Sequence, residues 1–317
     1  MQVPRIFIGV DVSKAELIAA VHGRPGCHSV ANDAQAIRAW LHQWPAGSLL
    51  AMESTGRFHQ LLATLACQAG LTVFVLNARD VFFYAKGMGA RAKTDHVDAL
   101  VIARYLAEHH DRLHCWQIPS ALHQQLQCLL GQRHTVVAKQ TALRESLRGD
   151  AQGLQVAIAT LDEAFKSLLK AIDQRIAELF ATDQALQQRR GLLTSIVGIG
   201  PLSSALLAEV LSRTTFASSD ALVAYSGLDP RANDSGRSRG RRRLSKRGNP
   251  ALRHRMFMAA MSACHTKTFA PLYQQLRARG LKSTEALVVL ARKLLRIAFA
   301  VWTSNQPFDP HRMASLA

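Results

Sequence analysis

Four acidic side chains in the first third of the sequence have the type and spacing to bind a divalent metal ion. Asp11 lies within an apolar run, Glu53 ends another, and Asp95 and Asp98 are three residues apart in a helical pattern. A carboxylate among apolar neighbours is unfavourable unless a cation or several donors compensate its charge. All-oxygen ligation suits Mg²⁺ or Mn²⁺, which organises phosphodiester oxygens. Each acid alone also fits a helix cap or a surface salt bridge, but the four together favour a metal site.

A second group of candidate residues lies between Arg231 and Arg255, where ten basic residues accompany one acid. Such a charge density repels itself unless an anion lies against it. Glycines break any helix here, and the run is bounded by apolar segments, which favours a folded binding loop over a solvated basic tail. The candidates for nucleic-acid contact are Arg231, Arg237, Arg239, Arg241, Arg242, Arg243, Lys246, Arg247 and Arg253.

Two smaller motifs accompany this run. Ser235 precedes Gly236 inside it, and a serine oxygen is a nucleophile when activated, although serines in glycine-rich loops are usually turn residues. Gly198 and Gly200 flank Ile199 ahead of a proline and a helical pattern. This pattern resembles a helix-hairpin-helix module, whose turn amides and helix N-terminus meet a phosphate, but it also fits an ordinary turn.

Composition points to a polyanionic partner. The 317 residues carry a formal net charge of +17 and 48% apolar side chains, ample for a core. Residues 191–317 hold 19 basic and 6 acidic side chains, so the excess charge is concentrated there. Five scattered cysteines are typical of reduced thiols in a cytoplasmic protein, and the spacing of Cys115, His123, Cys128 and His134 fits no common zinc template. Charged residues interrupt the apolar run at 286–302, which argues against a membrane span.

The elements that must position the acids form a mixed sheet. Residues 5–13 alternate in a strand with apolar residues on both faces, and 17–23 predict its hairpin partner. Strands are then predicted at 49–52 and 72–76, and helices near 33–44, 57–69 and 94–107. Hairpin strands followed by strands alternating with helices indicate a mixed sheet with helices on its faces.

From Pro119 the pattern becomes helical. Apolar residues recur at steps of four and three from Leu122 to Leu147, interrupted by Arg133 and Gln140, and a second stripe runs from Leu161 to Leu179. Two long helices in a hairpin, helices paired between subunits, or ordinary bundle helices all fit this pattern. Beyond the basic run, further helices are predicted at 250–264, 271–279 and 284–302.

The motifs together resemble a known family. They are GVDVSK (9–14), MESTG (52–56), KTDHVDA (93–99), GIGP (198–201), YSGLDP (225–230) and SGRSRGRRRLSKRGNPALR (235–253). Their residues and order are similar to those of the DEDD-serine transposases of insertion sequences, which include the pilin-gene invertases and the bridge-RNA-guided recombinases.

This resemblance implies an α/β plus α fold in three parts. Residues 1–110 would form a RuvC-like domain of the RNase H fold, with Asp11, Glu53, Asp95 and Asp98 as the acidic tetrad. Residues 111–190, which the quoted motifs do not cover, are predicted by their helical pattern to form a helical coiled-coil arm. Residues 191–317 would form a mostly helical transposase domain with Ser235 as the nucleophile.

The resemblance further implies a bacterial, nucleoid-associated enzyme that recombines donor and target DNA, guided by a noncoding bridge RNA and acting as a dimer or tetramer. Two alternatives stay open. One is a metal-dependent resolvase or nuclease of the RNase H fold that uses the acids and water but no serine. The other is a nucleic-acid-binding protein without activity.

Overall fold

The structure of the protein is a computed structural model. It describes residues 5–54, 56, 58–89, 94–149, 153–231 and 242–311. The chain divides into two compact units, Met1–Ile118 and Pro119–Ala317. The predicted helical arm belongs to the same unit as the C-terminal helices. The three-part division stays a prediction.

Unit 1 is a mixed sheet with helices on both faces. Its strands are β1 (Phe7–Val12), β2 (Glu16–Val21), β3 (Cys27–Ala31), β4 (Leu49–Glu53) and β5 (Thr72–Leu76). Its helices are α1 (Ala34–Leu41), α2 (His59–Gln68), α3 (Ala78–Gly87) and α4 (Asp95–His109). The described strands are ordered β3-β2-β1-β4-β5. Strands β1 to β3 pair antiparallel, and β4 pairs parallel with both β1 and β5. This topology is consistent with an RNase H-like domain.

The two faces of this sheet bury different side chains. Ile8 and Val10 of β1 pack in a cluster with Ile37 of α1 and Leu62 of α2. Ala51 of β4 belongs to a second cluster, which contains Ile102 of α4. The strict alternation predicted for β1 is thereby confirmed, and its odd-numbered residues, Asp11 included, face α4.

Unit 2 is mostly helical. Its elements are α5 (Ala121–Ser146), α6 (Gln155–Ala181), α7 (Gln184–Thr194), α8 (Pro201–Arg213), α9 (Ser219–Ser226), β6 (Pro230–Arg231), β7 (Arg243–Leu244), α10 (Pro250–Ala263), α11 (Ala270–Ala278) and α12 (Ser283–Ser304). Helix α12 crosses the core, where Leu290, Leu294 and Ala298 are fully buried. Among the described helices, none is both long and apolar enough to cross a bilayer.

Helices α5 and α6 form an antiparallel hairpin, which is one of the three structures that fit the heptad pattern. Arg133 donates from Nε to Asp173 at 2.5 Å and from Nη2 at 3.1 Å. Farther from the unit's core, Gln140 Nε2 donates to Asp162 Oδ1 at 3.4 Å, and Arg144 Nε donates to the same oxygen at 2.9 Å. The polar interruptions of the heptad pattern are therefore cross-helix contacts; pairing of the arm as a coiled coil stays a prediction.

Candidate active site and nucleic-acid interface

Asp11 and Glu53 follow the last paired positions of two parallel strands. Gly9 pairs with Ala51 and Val10 with Met52, so the next step along both strands brings Asp11 level with Glu53. Paired positions in a parallel ladder direct their side chains to the same face, here the face covered by α4. Both side chains are half-buried. The sheet therefore carries two of the predicted acids to one end of one face.

Helix α4 lies directly against β1 at Gly9. A Cβ at this position would overlap the Ala99 carbonyl O and the Ala103 backbone N. The absence of a side chain is thus what permits strand and helix to approach this closely. The close approach spans Ala99 and Ala103, in the N-terminal half of α4.

Two further contacts fix the direction of α4. At its C-terminus, the ring centroids of His110 and Phe7 are 5.1 Å apart. Toward its N-terminus, Ala99 packs with Ile18, the residue of β2 that pairs with Asp11. Helix α4 therefore runs antiparallel to β1, and its acidic first turn lies at the Asp11 end of the sheet.

The first turn of α4 is capped by Thr94, whose Oγ1 accepts a 3.3 Å hydrogen bond from the Val97 N–H. Asp95 is exposed and Asp98 is half-buried. Acidic residues in a first turn also interact favourably with the helix dipole, so both would be stabilising without a metal. Within the described ranges, no three acidic, histidine or cysteine side chains are close enough together to hold a metal ion. The fold brings the acids to one end of the sheet without assembling them into a cluster.

A hydrogen-bond network between α3 and α4 was not predicted from the sequence. The Tyr84 hydroxyl donates to Glu108 Oε2 at 2.6 Å, and Arg104 Nε donates to Glu108 Oε1 at 2.8 Å. Burial, and then the hydrogen bond to Glu108, raises the pKa of Tyr84 to about 12. The hydrogen bonds from Tyr84 and Arg104 lower the pKa of Glu108. The network joins α3 to α4. Its signal in the sequence is the three-residue spacing of Val81 and Tyr84, which places both side chains on one face of a helix.

Ser235, Arg237, Arg239 and Arg241 lie outside the described residues, but the structure describes what flanks them. The two-residue strands β6 and β7 pair antiparallel, with Pro230 opposite Leu244 and Arg231 opposite Arg243. The Ser245 hydroxyl donates to Asp229 Oδ1, just before β6. The two ends of the basic run are therefore held side by side.

The base of this hairpin is packed too closely for larger residues. Gly227 ends α9 in the left-handed conformation, with φ of 70°. A Cβ on Gly248 would overlap the Tyr225 carbonyl O. The Arg253 guanidinium donates from Nη1 to the Ser226 carbonyl O at 3.0 Å. Arg253, predicted to contact nucleic acid, therefore also joins α10 to the end of α9.

The other described basic side chains of the run differ in exposure. Arg231, Arg242, Arg243 and Lys246 are exposed, whereas Arg247 is half-buried. The four exposed cations lie on β6, β7 and the residues adjoining them, which makes them the part of the predicted interface that is accessible in unit 2.

The two glycines of the predicted helix-hairpin-helix motif differ from each other. Gly198 has φ of 93°, and a Cβ there would lie 2.6 Å from Ala263 Cβ. Gly200 is exposed with open space around it, and it is the N-cap of α8. Gly198 thus has a packing reason to be glycine, while phosphate binding by Gly200 stays a prediction.

Comparison with known proteins identifies a family. The model of a transposase family, the DEDD transposases of the IS110 type, matches residues 8–154. A second model, described as transposase of the IS116/IS110/IS902 family, matches residues 190–274. The chain belongs to the DEDD transposase and recombinase family. It is accordingly a DNA transposase or recombinase by family.

Two curated relatives match this chain over nearly their whole length, and a third matches it over a shorter range. A pilin gene-inverting protein of Moraxella bovis is 29% identical over 319 residues, covering 96% of this chain and 98% of the relative. A probable family 20 transposase of Pseudomonas aeruginosa is 27% identical, with the same coverage of both chains. An uncharacterized protein of insertion element IS110 from Streptomyces coelicolor is 33% identical over 150 residues, covering 45% of this chain and 37% of the relative.

Proposed function

We propose that this transposase cuts and rejoins DNA through a covalent link between Ser235 and a DNA phosphate, assisted by a divalent cation on Asp11, Glu53, Asp95 and Asp98. The observation that carries the metal part is the register of β1 and β4 together with the direction of α4, since both bring acids to the same end of one sheet face. The serine part rests on the family and on the position of Ser235 in its motif.

The donor set fits a hard cation. All four candidate ligands are carboxylates, and Mg²⁺ and Mn²⁺ prefer oxygen donors. When bound, such an ion supplies charge neutralisation and polarisation at a phosphodiester oxygen. Carboxylates grouped on one face repel one another, so these side chains would ligate only together with the cation that compensates their charge.

The serine step is an exchange of phosphodiester bonds. The Ser235 hydroxyl loses its proton, its Oγ forms a bond to phosphorus, and the bond from phosphorus to one sugar oxygen breaks, leaving that sugar as a hydroxyl. Attack by a sugar hydroxyl of another strand on the phosphoserine reverses these bond changes, restores the serine and needs no ATP. Arginines beside Ser235 would stabilise the negative charge of the pentacoordinate phosphate.

The exposed cations of β6 and β7 support DNA as the partner of unit 2. Arg231, Arg242, Arg243 and Lys246 present positive charge where the serine-bearing segment begins and ends. Lys and Arg contacts to phosphate supply most sequence-independent affinity for nucleic acid. Sequence choice would lie in a noncoding bridge RNA that pairs with donor and target DNA, and two copies or more of the chain would hold the two duplexes.

Trapping of a covalent intermediate tests the serine. The purified protein is incubated with its element-end DNA, guide RNA and Mg²⁺, denatured, and analysed for protein that migrates with labelled DNA. We expect adducts with the wild type and with Ser238→Ala, a matched change in the same segment, but none with Ser235→Ala. DNA cleavage without adducts would support the resolvase alternative, and binding without cleavage the inactive protein.

Guidance by RNA has its own test. Strand exchange is measured with RNA transcribed from the DNA flanking the reading frame, and again after changing the bases of that RNA complementary to the target. We expect the target to change with the RNA while the protein stays the same. Exchange at an unchanged target without RNA would rule guidance out.

A further inference from the structure

Helix α3 presents two exposed aromatic rings in contact with cations. Phe82 is 49% and Phe83 47% exposed, and their ring centroids are 5.5 Å apart. Lys86 Nζ lies 4.6 Å from the Phe82 centroid, and the Arg79 guanidinium 5.5 Å from that of Phe83. We call these four residues the aromatic patch. No residue of the patch is among the acids or the basic run described above.

The patch is held in place from the opposite side of its helix. Val81 is 3% exposed, and the rings of Tyr84 and Tyr105 pack edge to face with centroids 5.0 Å apart. The Tyr84–Glu108 hydrogen bond adds a second attachment to α4. Because Val81 and Tyr84 are anchored, the neighbouring positions 82 and 83 must face outward. The exposure of the two rings is therefore a property of a packed helix.

The helix that carries the patch begins at the end of the sheet where the acids are. Leu76, the last residue of β5, pairs with Glu53, and the Ser54 N–H donates to the Leu76 carbonyl at 3.0 Å. Asn77 then caps α3 by accepting a 2.9 Å hydrogen bond from the Arg79 N–H. Only two residues separate Leu76 from Arg79, so the helix that carries the patch starts beside Glu53.

Exposed rings paired with cations have a specific binding chemistry. Adjacent exposed phenylalanines are unfavourable in water, and such apolar surface usually marks an interaction site. A nucleobase stacks on an aromatic ring whatever its sequence, and neighbouring lysine and arginine side chains attract the phosphates on either side of it. In a duplex the bases are already stacked, so this surface selects unpaired nucleotides.

We propose that the aromatic patch binds unpaired bases of the DNA strand whose phosphate is cut, along α3 from the acids. This inference rests on the proposed function, because strand exchange requires unpaired DNA near the acids. Stacking holds the strand while its phosphate is positioned at the end of the sheet that carries Glu53. The patch is thus a positioning site, and its residues take no part in bond breaking.

Fluorescence of 2-aminopurine, which stacking quenches, provides the test. The probe is a short oligothymidine with one central 2-aminopurine, measured alone and as a duplex with the full-length protein. Three variants are compared with the wild type: Phe82→Ala/Phe83→Ala, the ring-retaining Phe82→Tyr/Phe83→Tyr, and Leu161→Ala/Leu168→Ala, which removes comparably exposed apolar side chains from α6. Circular dichroism establishes that each variant is folded.

We expect the alanine pair to lose the quenching and to bind the single strand about fivefold more weakly or worse, the lower limit for one stacked base. Its affinity for the duplex and the salt dependence of binding should stay unchanged, because no charge is removed. The tyrosine pair and the α6 pair should behave as the wild type. Ser235→Ala should quench normally, which separates failure of the stacking site from failure of the serine mechanism.

Three results would overturn the proposal. Equal losses on single strand and duplex would mean that the rings support folding or general affinity. A loss confined to a single-stranded RNA of the same sequence would assign the patch to the guide RNA. Dissociation of an oligomer by the alanine pair, with normal single-strand binding, would make the patch a subunit interface.

Discussion

The Arg253 guanidinium donates a 3.0 Å hydrogen bond to the backbone carbonyl of Ser226, 27 residues earlier in the chain. This bond connects the segment before the serine-bearing run to the helix after it. The same guanidinium packs against Gly227, because a Cβ on Gly227 would lie only 2.8 Å from Arg253 Nη1. The two residues therefore fix the base from which Ser235 would be presented.

Replacement of Arg253 tests this connection. Arg253→Ala leaves the Ser226 carbonyl without its partner, and we expect the free energy of unfolding to fall by about 1–3 kcal/mol. Urea denaturation followed by circular dichroism measures it. Lys246→Ala, which removes an exposed cation of the same run, should change stability by less than about 0.5 kcal/mol. Equal effects of the two changes would contradict the structural role of Arg253.

Gly9 should tolerate no side chain. In Gly9→Ala the new Cβ overlaps backbone atoms of Ala99 and Ala103, which cannot rotate away as a side chain would. We expect a loss of about 1–3 kcal/mol in unfolding free energy, typical of overpacking, and a loss of strand exchange as α4 moves from β1. The control is Gly131→Ala in the exposed middle of α5, where nothing lies near the added Cβ. That change should stabilise the protein by about 0.5–1 kcal/mol.

Metal binding by the acids should be visible as thermal stabilisation. Titration of Mn²⁺ or Mg²⁺ should raise the melting temperature of the wild type, since an ion that binds the folded state stabilises it by mass action. Asp11→Asn and Glu53→Gln should each abolish this rise while leaving salt-sensitive DNA binding nearly intact. Asp111→Asn, a change at an exposed carboxylate after α4, should retain it. The same rise in all variants would place the ion elsewhere.

The stability of the arm should depend more on the ion pair between Arg133 and Asp173 than on exposed ion pairs. Arg133 is 13% exposed beside Asp173, whereas Lys166 and Glu163 are 62% and 70% exposed. Asp173→Ala leaves a largely buried guanidinium unpaired, and we expect it to cost about 1–3 kcal/mol of stability. Glu163→Ala should cost about 0–1 kcal/mol, as is usual for surface pairs. Denaturation midpoints of both variants at low and high salt provide the measurement.

Tyr84 should ionise late. Its pKa in the folded chain is about 12 against an ordinary 10.0, so the unfolded chain releases this proton first. The contribution of Tyr84 to stability is therefore complete below pH 10 and declines as pH rises toward 12. Absorbance titration of the phenolate at alkaline pH should show a late step that Tyr84→Phe removes. A Tyr84→Phe titration identical to that of the wild type would contradict the Glu108 hydrogen bond.

Much of unit 1 follows from local pattern. The alternation in 5–13 and the apolar runs at 49–52 and 72–76 predict β1, β4 and β5 nearly to the residue, because a buried strand must be apolar on both faces. The short edge strand β3 and helix α3 were missed. Strand β3 is largely exposed and so has no apolar run to read, and α3 is a ten-residue helix with a single buried side chain, Val81.

The sequence predicts which residues form the candidate site, but it does not predict how the fold arranges them. The four acids stood out by position, yet the parallel register that aligns Asp11 with Glu53 depends on the long-range pairing of β1 with β4. In unit 2, the short helices α7 and α9 were missed. The β6–β7 pair was missed because two-residue strands have no periodicity to read. The role of Arg253 could not be foreseen either, since its acceptor is a backbone carbonyl that no side-chain pattern reveals.

The two ion pairs of the α5–α6 hairpin are spaced alike on both helices: Arg144 is eleven positions after Arg133, and Asp173 is eleven positions after Asp162. Eleven residues are close to three helical turns. An equal block of three turns gained or lost in both helices would thus keep the remaining partners in phase and the tip pointing the same way. The arm can act as a spacer whose length changes in fixed increments while the core from which it projects is left untouched.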